Sequence, residues 1–142
     1  MPFMNDKVFV DTNILVYCFD DADPAKKKKA IQIMEGLWEA SKGVLSLQVL
    51  KEFFVTVTEK LANKMDFRDA KAAVIDLLSW NIFYETRSSL ERTFEIIQRH
   101  HLSLWDANIL SAAILSDCNT VYSEDLQHNQ TIEGVRIINP LL

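Results

Sequence analysis

Lys7-Val8-Phe9-Val10-Asp11-Thr12-Asn13 is the stretch on which the reading of this chain turns. Val8-Phe9-Val10 is a short apolar run that stops on a carboxylate, the mark of a buried strand with a polar residue at its carboxyl end. Thr12 or Asn13 then stands where a cap is needed for a helix running through Phe19.

The alternation continues outward from there. Asp23-Pro24 starts a second helix, with Asp as N-cap and Pro at the first position. Ala30, Ile33, Met34, Leu37 and Trp38 recur along it at helical spacing. Gly43 breaks the pattern, and Val44-Leu45-Ser46 reads as a second strand. The next helix carries Leu47, Leu50, Phe54, Val57 and Leu61 on one stripe. Asp66 opens another, in which Ala70, Ala73, Val74, Leu77 and Leu78 share a face. Residues 81–85 form a third strand candidate. Ser88-Ser89-Leu90-Glu91 has the S-x-x-E form of a capping box, with Leu90, Phe94 and Ile97 as the inner face of its helix. Trp105-Asp106-Ala107 opens a last helix that is apolar on most sides and therefore buried. Thr120-Val121-Tyr122-Ser123 and Val135-Arg136-Ile137-Ile138 supply a fourth and a fifth strand, the latter stopped by Asn139-Pro140. Strands alternating with helices imply βαβ units. The expected fold is α/β, a three-layer α/β/α sandwich with a parallel sheet of four to five strands.

The chain has 142 residues, enough for one domain over 1–142 with its own core. No segment approaches the roughly 20 apolar residues of a membrane span. Met1-Pro2-Phe3-Met4-Asn5-Asp6 lacks the basic and apolar regions of a secretion signal, so a cytoplasmic location is expected. Cys18 and Cys118 have no CxxC partner and read as small buried hydrophobes rather than a disulfide or zinc pair. A net charge of −5 argues against gripping nucleic acid by bulk electrostatics. It does not argue against a nuclease, because acidic residues that hold a divalent cation count as negative only without it. No glycine-rich loop follows the first strand, which removes support for P-loop and dinucleotide binding.

In an open parallel sheet, ligands bind outside the carboxyl ends of the strands. Asp11 ends strand one, Glu52 lies in the helix after strand two, and Asp125 follows strand four, so these three fall on one edge. Asp106 reaches that edge if the last helix starts there. Carboxylates gathered in one cleft repel each other and lose hydration, so they take up protons or hold a cation. Hard oxygen donors without a Cys or His pattern point to Mg²⁺ or Mn²⁺. Such a cation activates water and clamps a phosphodiester. Each acid also has an ordinary reading: Asp11 and Asp106 as helix caps, Glu52 as a solvated charge, Asp125 as a turn residue.

Four segments in order resemble the PIN-domain ribonucleases, above all the VapC-type toxins of toxin–antitoxin pairs. They are Val8-Phe9-Val10-Asp11-Thr12-Asn13-Ile14-Leu15-Val16-Tyr17, Ser46-Leu47-Gln48-Val49-Leu50-Lys51-Glu52-Phe53, Leu104-Trp105-Asp106-Ala107, and Tyr122-Ser123-Glu124-Asp125-Leu126-Gln127 with Val135 to Pro140. The resemblance covers about residues 7 to 141. It implies Asp11, Glu52, Asp106 and Asp125 as a metal-binding catalytic quartet, with Asn13 and Ser123 as polar neighbours that orient a ligand. It implies a Mg²⁺- or Mn²⁺-dependent endoribonuclease that leaves 5′-phosphate ends, an RNA substrate, a small antitoxin partner that occupies the active groove, and a homodimer. Similar proteins often carry Gly soon after Gln127, where this chain has His128-Asn129-Gln130. Asn tolerates the left-handed backbone that Gly supplies.

Two other classes compete. A haloacid-dehalogenase-like phosphatase also begins with strand-Asp, but needs Asp two residues on, where this chain has Asn13. A non-catalytic PIN-like interaction module would keep the fold and lose the acids, and all four are present. Lys26 to Lys29 read as a solvated helix face, His100-His101 as a helix end, and Trp105 as core rather than a base-stacking platform. His128 lies near enough to Asp125 in sequence to be weighed as a substrate contact. Phe53-Phe54 suit a partner groove, except that Phe54 falls on the core stripe.

Overall fold

The computed structural model describes residues 6–142. The secretion-signal reading therefore rests on residues that, Asp6 apart, lie outside those described. Among the described residues, the element order is β1 (Lys7–Val10), α1 (Thr12–Tyr17), α2 (Pro24–Ala40), β2 (Gly43–Ser46), α3 (Leu47–Glu59), α4 (Phe67–Leu77), β3 (Asn81–Phe83), α5 (Arg87–His100), α6 (Leu104–Leu115), β4 (Cys118–Tyr122), β5 (Thr131–Ile132) and β6 (Val135–Ile138). None of these helices is long and apolar enough to cross a membrane.

The strands form one sheet in the order β3-β2-β1-β4-β6-β5. Every pairing is parallel except β5 with β6. From β1 the chain moves outward through β2 to β3, then returns to place β4 on the other side of β1. Right-handed crossovers in opposite directions send their helices to opposite faces. Accordingly α2 and α3 pack on β2 and draw α1 and α4 with them, while α6 packs on β1, β4 and β6 and carries α5 outside it. The result is the expected three-layer sandwich. Its centre is β1, where Phe9 and Val10 are fully buried, joined by Leu45, Leu110, Val121 and Ile137. The order reverses between β1 and β4, and a sheet of this type binds its ligands at such a switch point.

The sheet has six strands, one more than expected. β5 is only two residues long, and it returns to β6 through Glu133 and Gly134, which take φ of 51° and 82°. Two consecutive positive φ values make the tight hairpin turn that suits strand twist. Glu133-Gly134 lacks the Asn-Gly or Asp-Gly signature of such turns.

On two helices some of the expected inner residues are not buried, Leu90 and Phe94 on α5 and Leu47 and Phe54 on α3, while Leu50, Val57 and Leu61 of the α3 stripe are buried as expected. On α5 the N-cap is Thr86, and its hydroxyl and the Ser89 hydroxyl each accept the other residue's backbone N–H. The box therefore begins two residues before Ser88, and the buried positions are Ser89, Thr93 and Ile96. Leu90 and Phe94 are instead 50% and 55% exposed. On α3 the buried positions are Val49, Leu50, Phe53 and Val57. Phe53 meets Phe19 edge-on at 5.4 Å, while Phe54 turns outward to Phe67 on α4. Helix periodicity says which residues share a face, and it leaves open which face meets the sheet when two are apolar.

Gly43 is needed for contact rather than for its backbone freedom. A Cβ there would collide with the Trp80 ring, which is packed against Trp38 at 5.4 Å. Gly43→Ala is expected to cost about 1–3 kcal/mol in urea unfolding. Combining it with Trp80→Leu should cost less than the sum of the two single changes, because the same collision is removed. Additive losses would show that the contact does not govern this corner.

Candidate active site

Strand pairing continues one residue beyond β1. The Asp11 N–H donates to the Tyr122 carbonyl at 2.9 Å, and the Ser123 N–H donates to the Ile138 carbonyl at 3.0 Å. Asp11 and Ser123 are thus fixed side by side at the switch point by main-chain bonds. Asp11 is also the N-cap of α1: its Oδ1 accepts the Thr12 N–H at 2.7 Å. The cap falls one residue before Thr12, and the capping reading of Asp11 is the one these bonds show.

Ser123 is fully buried and joins the two sides. Its hydroxyl donates to Asp11 Oδ2 at 2.8 Å and accepts the backbone N–H of Asp125 at 3.2 Å. Asn13 closes the ring. Its amide nitrogen donates to Asp11 Oδ2 at 3.3 Å and to Asp125 Oδ2 at 3.1 Å, while its carbonyl oxygen accepts the Glu124 N–H at 3.0 Å. From α3, Glu52 Oε2 accepts the Thr12 hydroxyl at 3.1 Å and Oε1 accepts the Gln48 amide at 2.9 Å.

Asp11, Glu52 and Asp125 line one open cleft of about 750 Å³, together with Asn13, Lys51 and Trp105. Asp106 does not line it. It lies half-buried in the first turn of α6, its N–H bonded to the Ser103 hydroxyl that caps the helix, one residue from the cleft-lining Trp105. The structure therefore brings together three of the four candidate acids with Asn13 and Ser123, and leaves the fourth at the margin.

Burial pushes the Asp11 carboxyl up from 3.8 to about 6. The hydrogen bonds from Ser123 and Thr12 work against that rise, and the charges of Asp125 and Glu52 add to it. The site thus holds negative charge that its own donors do not fully compensate. Among the described residues, no three Asp, Glu, His or Cys side chains stand close enough to enclose a metal ion. The space between Asp11 and Asp125 is occupied by the Asn13 amide, whose N–H hydrogens both carboxylates accept. The donor set itself fits a hard divalent cation, since the cleft walls offer carboxylate and amide oxygens and neither Cys nor His.

A second charged group borders the cleft. Tyr17 donates to Glu124 Oε1 at 2.6 Å, and the Lys26 ammonium contacts Glu124 Oε2 at 2.6 Å and lies over the Tyr17 ring. Burial alone would raise the Glu124 carboxyl, but the bonds from Lys26 and Tyr17 outweigh it and hold the pKa below the usual value. This latch ties α1 and α2 to the loop that carries Asp125. Sequence reasoning missed it because the partners lie up to 107 positions apart. Gln48 was findable, since Gln48 and Glu52 are i, i+4 on one helix.

The remaining candidates take structural places. Lys27 pairs with Asp21, and Lys29 donates to the Leu141 carbonyl. His100 faces Glu133 at 3.3 Å, and His101 caps α5 with a φ of 56°. His128 accepts the Asn139 N–H at 2.9 Å, and Asn129 takes the left-handed φ of 68° expected of it. Cys18 and Cys118 are free thiols, half-buried and buried.

Comparison with known proteins follows the same lines. Residues 8–133 match the PIN domain family. No curated protein sequence matches the chain significantly. A toxin–antitoxin complex from Klebsiella pneumoniae is similar in structure, with a TM-score of 0.71 at 22% identity over 94% of this chain and 98% of that one. VapC20 of Mycobacterium tuberculosis, described as a sarcin-ricin loop cleaving toxin, gives 0.63 at 24% identity over 84% and 90%. DNA-bound VapBC from Salmonella typhimurium gives 0.64 at 20% over 92% and 96%. At these identities the likeness establishes the fold.

The raised pKa of Asp11 makes stability depend on pH. The folded state holds this proton more tightly than the unfolded chain, so the penalty for the buried anion is full above about pH 6 and disappears as pH falls past 3.8. A shift of about two units corresponds to about 3 kcal/mol. Replacement by Asn removes the anion but also an acceptor for Ser123 and Asn13, worth about 1–2 kcal/mol. In urea unfolding with chelator present, Asp11→Asn should therefore stabilise the protein by about 1–2 kcal/mol near neutral pH, cross zero near about pH 5, and destabilise it by about 1 kcal/mol at about pH 4, where only the lost acceptor remains. An effect independent of pH would contradict this account.

Proposed function

The chain belongs to the PIN-domain family, with residues 8–133 matching it, and on that premise we propose that it is a metal-dependent endoribonuclease acting as the toxin of a toxin–antitoxin pair. The observation that carries the proposal is the Asp11 carboxylate, buried at the switch point with Asp125 and Glu52 opposing its charge. Asp11, Glu52, Asp106 and Asp125 are the proposed acidic set for Mg²⁺ or Mn²⁺. Asp106 is its outer member, one residue from the cleft wall at Trp105. A divalent cation held there would polarise the scissile phosphate and lower the pKa of water.

The chain's own groups have distinct parts in this scheme. Ser123 and Asn13 fix the Asp11 carboxylate, and Asn13 also orients Asp125. Glu52, held by hydrogen bonds from Gln48 and Thr12, is assigned the role of accepting the proton that water loses as its oxygen attacks phosphorus. The P–O3′ bond breaks in line, the 3′ oxygen takes a proton from solvent and leaves as a hydroxyl, and the other product ends in a 5′-phosphate. The phosphatase alternative has no second Asp, because Asn13 occupies that position with its amide on both carboxylates.

An antitoxin partner is supported by a second feature. An apolar groove of about 470 Å³ lies between α3 and α4, lined by Leu50, Phe54, Phe67 and Val74, and it shares Lys51 and Val55 with the acidic cleft. A bound segment filling this groove would reach the active site. A homodimer is the proposed occupant of the exposed Leu90 and Phe94 face of α5.

The test is incubation of the purified chain with total cellular RNA and Mn²⁺, followed by mapping of new ends. Cleavage leaving 5′-phosphates is expected, and chelator should abolish it. Asp11→Asn should lower the rate at least about a hundredfold, and Ser123→Ala about 10–100-fold through the misplaced Asp11. Cleavage by Asp11→Asn at the parent rate would remove the site assignment.

A further inference from the structure

Trp105 was read from sequence as core, and the structure places it otherwise. It is 58% exposed, and its side chain forms part of the wall of the cleft that holds Asp11, Glu52 and Asp125. The buried positions of α6 start at Ala107, so its tryptophan packs no part of that helix against the sheet. The other two tryptophans, Trp38 and Trp80, pair with each other on a different corner, whereas among the described residues Trp105 pairs with no aromatic ring and lies under no cation. A large indole left in water at the lip of an acidic site has a free π-face.

Two cations share this cleft on α3. Lys51 precedes Glu52, and Lys60 caps the carboxyl end of the helix. Among the described residues neither is in an ion pair, although Lys26 and Lys27 are. Nine residues of helix separate them by about 13 Å along the axis, roughly four nucleotides at the about 3.4 Å rise of a stacked strand. The chain is acidic overall, and these two lysines are cations on the wall of the cleft that the carboxylates also line.

A π-face beside unpaired cations is the combination that binds single-stranded nucleic acid. Bases stack on the aromatic, and the cations follow the phosphates. Duplex RNA offers no unstacked base for such a ring, and its deep, narrow major groove does not admit side chains. We propose that Trp105 is the stacking platform for an unpaired RNA base in the cleft, with Lys51 and Lys60 holding the neighbouring phosphates. This assignment of Trp105, Lys51 and Lys60 rests on the RNA reading of the site but not on cleavage itself.

The test uses the full chain carrying Asp11→Asn, with Mg²⁺ present, so that binding is read without turnover. Affinity is read from the anisotropy of a 5′-labelled pool of single-stranded dodecaribonucleotides of random sequence, which should also quench tryptophan fluorescence, and a labelled poly(A)·poly(U) duplex should bind far more weakly. Trp105→Ala should weaken single-strand binding about five- to hundredfold, the range for loss of one stacked base. Trp105→Phe keeps a ring, so it should retain most of the affinity and lose the quenching. Lys51→Ala and Lys60→Ala should each reduce the slope of log affinity against log salt by about 0.7. Unchanged affinity in Trp105→Ala, or equal binding of duplex, would overturn the proposal, including the case where Trp105 serves a protein partner instead. If binding behaves as described while the parent chain cuts no RNA, the stacking site stands and the nuclease reading fails. If the parent cuts RNA through Asp11 and Trp105→Ala binds normally, the reverse holds.

Discussion

An ionised carboxylate at the end of a fully buried strand is the constraint around which this structure is arranged. Phe9 and Val10 leave β1 no freedom to move, because both are enclosed between the helical layers. Asp11 must follow them, and it emerges where β1 and β4 part. A carboxylate there is stable only if hydrogen bonds, a proton or a cation meet its charge. The chain provides the first of these from three directions: Thr12 along the chain, Asn13 from the first turn of α1, and Ser123 from across the sheet. Because Ser123 also holds the backbone of Asp125, the same bonds that steady Asp11 shape the loop after β4. The fold and the site are consequently one problem in this protein, and changes to either are felt in both.

The electrostatics separate into a global and a local scale. The net charge of −5 keeps the field of the whole molecule unfavourable to a polyanion. Within the cleft the balance differs, because Lys51 and Lys60 stand beside the acids and Lys26 neutralises Glu124. The cluster of Lys26, Tyr17 and Glu124 leaves Asp125, not Glu124, as the acid of that loop that faces the cleft uncompensated by a cation.

Much of the fold was legible because local chemistry and tertiary structure agree. Asp23-Pro24 and Asp66 cap their helices as their residue types dictate, and Val135–Ile138 is bounded as read. Asp11, Glu52 and Asp125 were placed on one edge by the sheet rule alone, and they line one cleft. What escaped was decided between elements. Leu90 and Phe94 make an amphipathic pattern as good as the true inner face, but Thr93 and Ser111 both bond to the Ser89 carbonyl, so the polar stripe of α5 turns inward against α6. Trp105 was misjudged for a related reason. An apolar helix is buried only where the sheet covers it, and the first turn of α6 is exposed at Leu104 and Trp105, burial starting at Ala107. Asp106 belongs to that same turn, and the acid that only family resemblance added is the one left at the margin.

The shared wall between the acidic cleft and the apolar groove has a thermodynamic consequence. Lys51 and Val55 belong to both, so a molecule seated in one changes the surface offered by the other. Coupling of that kind is reciprocal: whatever factor a groove ligand takes from affinity in the cleft, a cleft ligand takes from affinity in the groove. Inhibition by a groove-bound segment would then be a competition rather than a lock. Its strength would be set by the concentrations and differential affinities of two ligands, with one lysine and one valine as the point where they meet.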